Sequence, residues 1–336
     1  MHSSVITSVH KRKRGRPKKG AILHVAIPDF TTCATIDTII IAPTLPAPIH
    51  AATLHQRIIK GTGFLSVRVE PFGQITDCPT ITLQDATPAR LRSLAVLFDG
   101  LAVVVDRLDV ALNCHPRIPA DLDCLAVALA RHHVPRQSLL QGRGAPRQAW
   151  GEGKERFAFL GHPDGFLAGL SPRWTTYAGQ RGGPIMWRTY PKRMDHGQPI
   201  PEHLRVARIE TELHREELVR RGLGTLADVL AFNYSALADL FKFAAPSAPA
   251  PSRIGWPCID RARRQITAQR VDAGMWAIPK SQRVALDRLN RAARRALDRL
   301  TGAFSDTSGV IFLDTRAEQE VRKPAGLGRA SYNTNG

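Results

Sequence analysis

The chain has 336 residues, with 47 Lys plus Arg against 29 Asp plus Glu, a formal net charge of +18, and 43% hydrophobic residues. That composition supports a buried core in one large or two ordinary domains, and it excludes a wholly disordered chain, a collagen and a coiled-coil rod. No run of about 18 apolar residues is free of charge or proline, so no membrane-spanning helix is expected. The N-terminus lacks the apolar block of a secretory signal. The five cysteines (33, 78, 114, 124 and 258) form no C-x-x-C pair. They read as reduced thiols of a cytoplasmic protein rather than a disulfide frame or a zinc site. The charge favours a polyanionic partner, for which nucleic acid is the default.

Residues 1–32 read as a disordered basic arm, with the first acidic residue at Asp29. Lys11, Arg12, Lys13, Arg14, Arg16, Lys18 and Lys19 carry seven of its charges, and removing them still leaves +11 of the +18 on the rest of the chain. The KRGRPKK segment within the arm resembles an AT-hook. Arg-Gly-Arg-Pro can lie extended in a narrow A·T-rich minor groove, where the negative potential is strongest, while flanking lysines meet phosphates.

A folded body is expected over 33–243. Ile36–Ile41 is a strand candidate, and so is Gly63–Glu70. Thr87-Pro88 supplies an N-cap and first-turn proline for a helix that Gly100 stops. Leu101–Asn113 is the strongest strand pattern, followed by a helix from about Pro119 to His132. From Glu155 short strands alternate with Gly/Pro turns, as ERFAFL, FLAGL, TTYAG and IMWRTY, which suggests an antiparallel meander. VARIETEL (206–213) is a further strand. A helix entering at Thr225 with Asp228 at N3 has nearly a capping box, and a second helix covers about Ser235–Phe243. AAPSAPAPS (244–252) reads as a linker outside any core, 253–303 as a helical C-terminal segment, and 304–336 as a tail. Within that segment Arg288, Arg291, Arg295 and Arg299 line an amphipathic helix, more simply read as a solvated face than as a DNA-groove reader. The fold class expected is α+β, an antiparallel sheet backed by helices.

Three strand candidates carry polar residues at period two. Arg107, Asp109 and Asn113 share a face; so do Arg208, Glu210 and Glu212; so do Arg188, Tyr190 and Lys192. If the strands belong to one sheet, carboxylates, guanidiniums and a tyrosine gather on one side of it. The simpler alternative is an ordinary solvated sheet face with mixed charges.

These residues resemble those of the replication initiation proteins of filamentous phages and rolling-circle plasmids. The likeness lies in Ala34-Thr35-Ile36-Asp37-Thr38, in Arg107-Leu108-Asp109, in Thr176-Tyr177-Ala178-Gly179 with Arg188-Thr189-Tyr190-Pro191-Lys192, and in Ala207-Arg208-Ile209-Glu210 with the helix entry at 214–226. Two positions depart from the family pattern: Asn113 stands where a second acid is usual, and Asp195 where Glu is usual. The H-u-H metal motif of many nicking enzymes is absent, since His132 and His133 are adjacent and project about 100° apart on a helix. The resemblance implies a sheet with a repeated, ferredoxin-like element. It implies a site-specific DNA nicking-joining endonuclease that binds a phage or plasmid origin, forms a 5′-phosphotyrosyl link and leaves a 3′-OH primer. Tyr190 is the expected nucleophile and Tyr177 the rival, with Lys192 and Arg188 on the phosphate. Asp109, Glu210 and Asn113 would hold Mg²⁺ or Mn²⁺, and Arg107 and Arg208 would contact DNA. The expected partners are origin duplex and single-stranded DNA, with a host helicase, a polymerase or a second copy of the chain as further candidates, and no membrane. The alternative reading is a DNA-binding replication or transcription regulator on the same scaffold that does not nick.

Overall fold

The computed structural model describes residues 27–71, 73–140, 147–150, 156–159, 174–195, 197–247, 275 and 278–306. The AT-hook-like segment, the FLAGL stretch, most of 248–277 and the tail from 307 onward lie outside the described residues. Among the described residues no helix is long and apolar enough to cross a membrane.

The first half runs β1 (Phe30–Pro43), β2 (Ile49–His50), α1 (Ala51–Thr62), β3 (Val67–Glu70), β4 (Ile75–Thr76), β5 (Thr80–Gln84), α2 (Pro88–Leu97) and β6 (Val103–Pro116). Helix α2 starts as its sequence dictates: the Thr87 hydroxyl accepts from Arg90 N at 3.3 Å and Pro88 opens the first turn. Helix α1 lies between the two strand candidates, in a stretch to which no element is assigned from the sequence. Its N-cap is His50, an unusual residue there, whose Nδ1 accepts from Ala52 N. Its signal is the buried series Ala51, Leu54, Ile58 and Thr62, and Gly63 ends it at φ 70°, a conformation that glycine takes without steric cost.

The second half adds α3 (Leu122–His132), β7 (Arg147–Trp150), β8 (Arg156–Phe159), β9 (Trp174–Ala178), β10 (Ile185–Lys192), β11 (Met194–Asp195), β12 (Gln198–Pro199) and β13 (Val206–His214). Then come α4 (Arg215–Arg221), α5 (Leu226–Ala231), β14 (Ala244–Pro246), β15 (Arg283–Ala285) and α6 (Asp287–Ser305). The capping box at α5 is complete: Thr225 N donates to Asp228 Oδ2 at 2.9 Å and Asp228 N to Thr225 Oγ1 at 3.1 Å.

The fold is α+β. Nine strands form one antiparallel sheet in the order β3-β5-β1-β6-β13-β10-β9-β7-β8. Strands and helices from β1 to β6 make one βαββαβ unit of the ferredoxin-like kind. The second half joins through the β6–β13 pair, and among the described residues its chain order does not repeat that unit. One sheet face is apolar. Leu108, Val110, Leu112, Ile209, Leu213 and Trp187 pack there in a core shared with Leu125 and Leu129 of α3 and Leu297 of α6.

Three expectations about boundaries are corrected. Residues 27–32 are not part of a free arm: Ile27 packs on the core, β1 already begins at Phe30, and Arg288 reaches back from α6 to Asp29 at 2.6 Å. The stretch read as a linker begins as β14, which pairs with β15, and Ala245 is fully buried. The helix of the segment expected over 253–303 runs to Ser305 and is integral to the body. It buries Leu289, Ala293, Leu297, Leu300 and Phe304, and Arg92 Nη2 donates to the carbonyls of Ala303 and Phe304 at its end. A further difference is that residues 234–240 form a 3₁₀ helix capped at Phe241, and beyond it Phe243 turns its backbone N–H and C=O to the Asn290 side chain at 2.8 and 3.0 Å.

Candidate functional site

The opposite face of the sheet is polar at its centre, and strand pairing builds it. β6, β13 and β10 are neighbours, with Asp109 across from Glu212, Asn113 across from Arg208, Arg188 across from Glu210 and Tyr190 across from Arg208. Residues at period two on three strands therefore converge as the alternation requires. On the next strand, β1, the register shifts between Ile36 and Thr38, so that Asp37 and Thr38 together oppose Asp109. This β-bulge is the device that turns Asp37 toward Arg208.

Asp109, Glu210 and Glu212 lie underneath, with Arg107 and Arg188 above them. Asp109 is fully buried, and Arg107 grips it with Nε at 2.8 Å and Nη2 at 2.6 Å. Arg107 also reaches Glu212 at 2.8 Å, and His214 Nε2 lies 2.8 Å from the other oxygen of Glu212. Arg188 bonds Glu210 and lies 3.3 Å from Asp109. The Tyr190 hydroxyl donates to Glu210 Oε2 at 2.9 Å. Arg208, buried, bonds Asp37 and donates Nε to Asn113 Oδ1 at 2.7 Å. Side chains of Arg107 and Arg188 keep 26% and 28% of their surface exposed and Asp37 keeps 24%, while Arg208 keeps 7% and Glu210 1%, so Arg107 and Arg188 are the cations of this network that a large ligand meets without rearrangement. Lys192 Nζ pairs with Asp195 at 2.9 Å, so the residue that departs from the family pattern still supplies an anion to the lysine.

Burial sets the protonation of this face. It pushes the Asp109 carboxyl up to about 7, with the charges of Glu210 and Glu212 adding to the rise and Arg107 opposing it. Burial also raises the Tyr190 phenol well above its ordinary value; Glu210 pushes it the same way, and Arg208 opposes. Asp37 is held below the usual carboxylate range: burial works to raise it, but Arg208, Lys192 and Arg188 together outweigh burial. Arg188 and Arg208 remain charged, since their anionic neighbours more than offset burial.

Arg107, Asp109, Arg188, Tyr190, Arg208 and Glu210 form one connected network. Lys192 stands two residues from Tyr190 on the same face, and Tyr177 opposes Arg188 from β9. Arg208 does not stand where a DNA contact would, because it is buried beneath Tyr190 and Asp37. Asn113 is separated from Asp109 by four residues of strand, roughly 13 Å at about 3.3 Å each, and its oxygen is taken by Arg208, so the two cannot bind one ion. Asp109 and Glu210 alone remain of the expected metal ligands. Both oxygens of Asp109 accept from Arg107, and those of Glu210 from Arg188 and Tyr190. Among the described residues no three His, Cys, Asp or Glu side chains form a metal-binding group. The set as arranged does not fit Mg²⁺ or Mn²⁺. Three members were not assigned a role from the sequence: Asp37, Glu212 and His214. Glu212 was visible in the same alternation as Glu210, and His214, the last residue of β13, continues that alternation one residue past the expected strand end, whereas Asp37 depends on the bulge.

No protein-family model matches the chain, and no curated protein matches it. Among solved structures it is similar to a rolling circle replication initiator protein from Geobacillus stearothermophilus, at 14% identity and a TM-score of 0.37, over 73% of this chain and 100% of that one.

Proposed function

We propose that the chain is a replication initiator that cuts one strand of a phage or plasmid origin with Tyr190 and remains joined to the 5′ phosphate. The observation that carries this reading is the 2.9 Å hydrogen bond from the Tyr190 hydroxyl to Glu210, on a face where Arg188 and Arg107 stay partly open to solvent.

Strand transfer needs an oxygen nucleophile, a place for its proton and positive charge around the phosphate. Tyr190 Oη attacks phosphorus, and its proton passes to Glu210 Oε2. The P–O3′ bond breaks, the 3′ oxygen takes a proton from water, and the products are a 5′-phosphotyrosyl bond and a free 3′-OH. Running the same steps backward rejoins the strand. Because the phenol is raised by burial, it is neutral at pH 7 and must lose its proton as it attacks. A base already hydrogen-bonded to it answers that need. Arg188, Arg107 and Lys192 neutralise the phosphate, and Asp109, Glu212 and Asp195 hold those cations in position. No step is routed through a metal ion.

The test uses supercoiled plasmid carrying the origin. Wild-type protein should convert it to nicked circles with protein on the 5′ end, and Tyr190→Phe should bind the DNA without forming the adduct. If Tyr177→Phe abolishes the adduct and Tyr190→Phe keeps it, the nucleophile is Tyr177. Binding without an adduct from the wild type would favour the regulator reading. That reading has its own support in the guanidinium pairing of Asp109 and Glu210, which resembles a static structural network.

A further inference from the structure

On the other side of β10 from Tyr190, next to the buried Trp187, lies a cleft of about 440 Å³. Its walls carry Arg136, Arg220, Arg221 and Lys242, and Leu240 and Trp187 line its apolar part. Trp187 is fixed there by Nε1 donating to the Leu240 carbonyl at 3.1 Å. Three of the cations are collected by one buried carboxylate, Glu217: Arg221 Nε lies 2.7 Å from it, Arg136 3.7 Å, and Arg220 bonds both oxygens. Asp239 takes the far end of Arg221 at 2.8 Å. Burial works to raise Glu217, but hydrogen bonds from Arg220 and Arg221 hold it below the usual carboxylate range, so it stays ionised and keeps the guanidiniums in place.

Four cations against Glu217 and Asp239 leave two positive charges in excess. Arg136 and Arg220 are about half exposed, at 49% and 52% of their side-chain surface, and Lys242 is exposed. Guanidiniums pre-positioned by a buried carboxylate, beside an apolar wall and in a space of small-ligand size, suit a phosphate group with organic substituents. We propose that this cleft binds the phosphate of a nucleotide or of a nucleic-acid backbone, separately from the Tyr190 face. The proposal does not depend on strand cleavage, because the two sites lie on opposite sides of the sheet and share no charged residue.

The experiment compares the full-length chain with Arg136→Ala/Lys242→Ala. That pair leaves Arg220 and Arg221 to neutralise Glu217, and a melting curve checks the fold. Binding of dTMP is measured by calorimetry, and binding of a 20-mer of oligodeoxythymidylate by anisotropy across salt concentrations. Arg294→Ala/Arg295→Ala, which removes the same charge from the exposed face of α6, is the control. A tenfold or greater loss of dTMP binding identifies a free nucleotide as the ligand. A similar loss for the oligonucleotide, with the slope of log K against log salt falling by about 1.4 for two single-strand contacts, identifies the backbone. If neither probe is affected, or if the control variant weakens binding equally, the cleft is not a phosphate site.

Discussion

Replacing Glu210 by Gln tests the proton acceptor directly. The substitution keeps the side-chain shape and an amide oxygen for the Tyr190 hydroxyl, but it removes the basicity. Arg188 still has Asp109 at 3.3 Å and Glu212 at 3.8 Å, so the guanidinium stays paired and the strand should not open. An unperturbed phenol near pKa 10 is ionised in only about one molecule in 300 at pH 7.5. Burial makes the fraction at Tyr190 smaller still. A positioned base contributes about 10²–10⁴ in rate, or about 2.7–5.4 kcal/mol at 1.36 kcal/mol per decade. Single-turnover nicking by Glu210→Gln should fall by that factor while DNA affinity holds. The lost rate should return partly at high pH, where the phenol ionises without help. A second readout is independent of catalysis. The Glu210 charge adds to the rise of Asp109, so in Glu210→Gln the Asp109 carboxyl should titrate below the wild-type value of about 7 in a ¹³C spectrum. Nicking at the wild-type rate with DNA fully bound would refute the assignment of Glu210 as base.

Burial pushes His133 down to about 4, against an ordinary value near 6.5, while its Nε2 lies 2.9 Å from the Leu240 carbonyl. The native state therefore resists the proton that the unfolded chain accepts: stability from this group is complete above pH 6.5 and falls as the pH drops toward 4. Between pH 7.5 and 4.5 the loss is about 2.5 kcal/mol. Denaturant titrations of wild type and His133→Gln should differ by that amount in their pH dependence, and parallel curves would show that His133 does not contribute. Leu297→Ala should cost about 2–5 kcal/mol by urea unfolding in a single transition, because α6 belongs to the common core; a separate early transition with an unchanged main one would show that α6 folds apart. For the basic arm, deletion of residues 1–20 should flatten the salt dependence of DNA binding, and an unchanged slope would exclude the arm from the contact.

The polar face was legible in the sequence because its signal is local. Arg107, Asp109 and Asn113, like Arg188, Tyr190 and Lys192, alternate with apolar residues, and a strand sends alternate side chains to opposite faces whatever surrounds it. Thr87-Pro88 and Thr225 with Asp228 were legible for the same reason, since each cap is completed within four residues. The alternation also revealed Glu212 as a member of the face, but not that Arg107 would bind it.

What the chain alone determined is therefore the strands, their polar and apolar sides, and the excess of positive charge. Which strands become neighbours was decided only by folding: β6 ends at Pro116 and β13 begins at Val206, with residues 117–205 between them, and no local pattern encodes that pairing. The same holds for Asp37, aimed by a bulge in β1 set against β6, and for Asp29 and Ala245, drawn into the body by partners in α6 and β15. The metal ligands expected at Asp109 and Glu210 fail for a related reason. Residue type specifies a carboxylate, but whether its oxygens face an ion or a guanidinium depends on which arginines the neighbouring strands bring within reach.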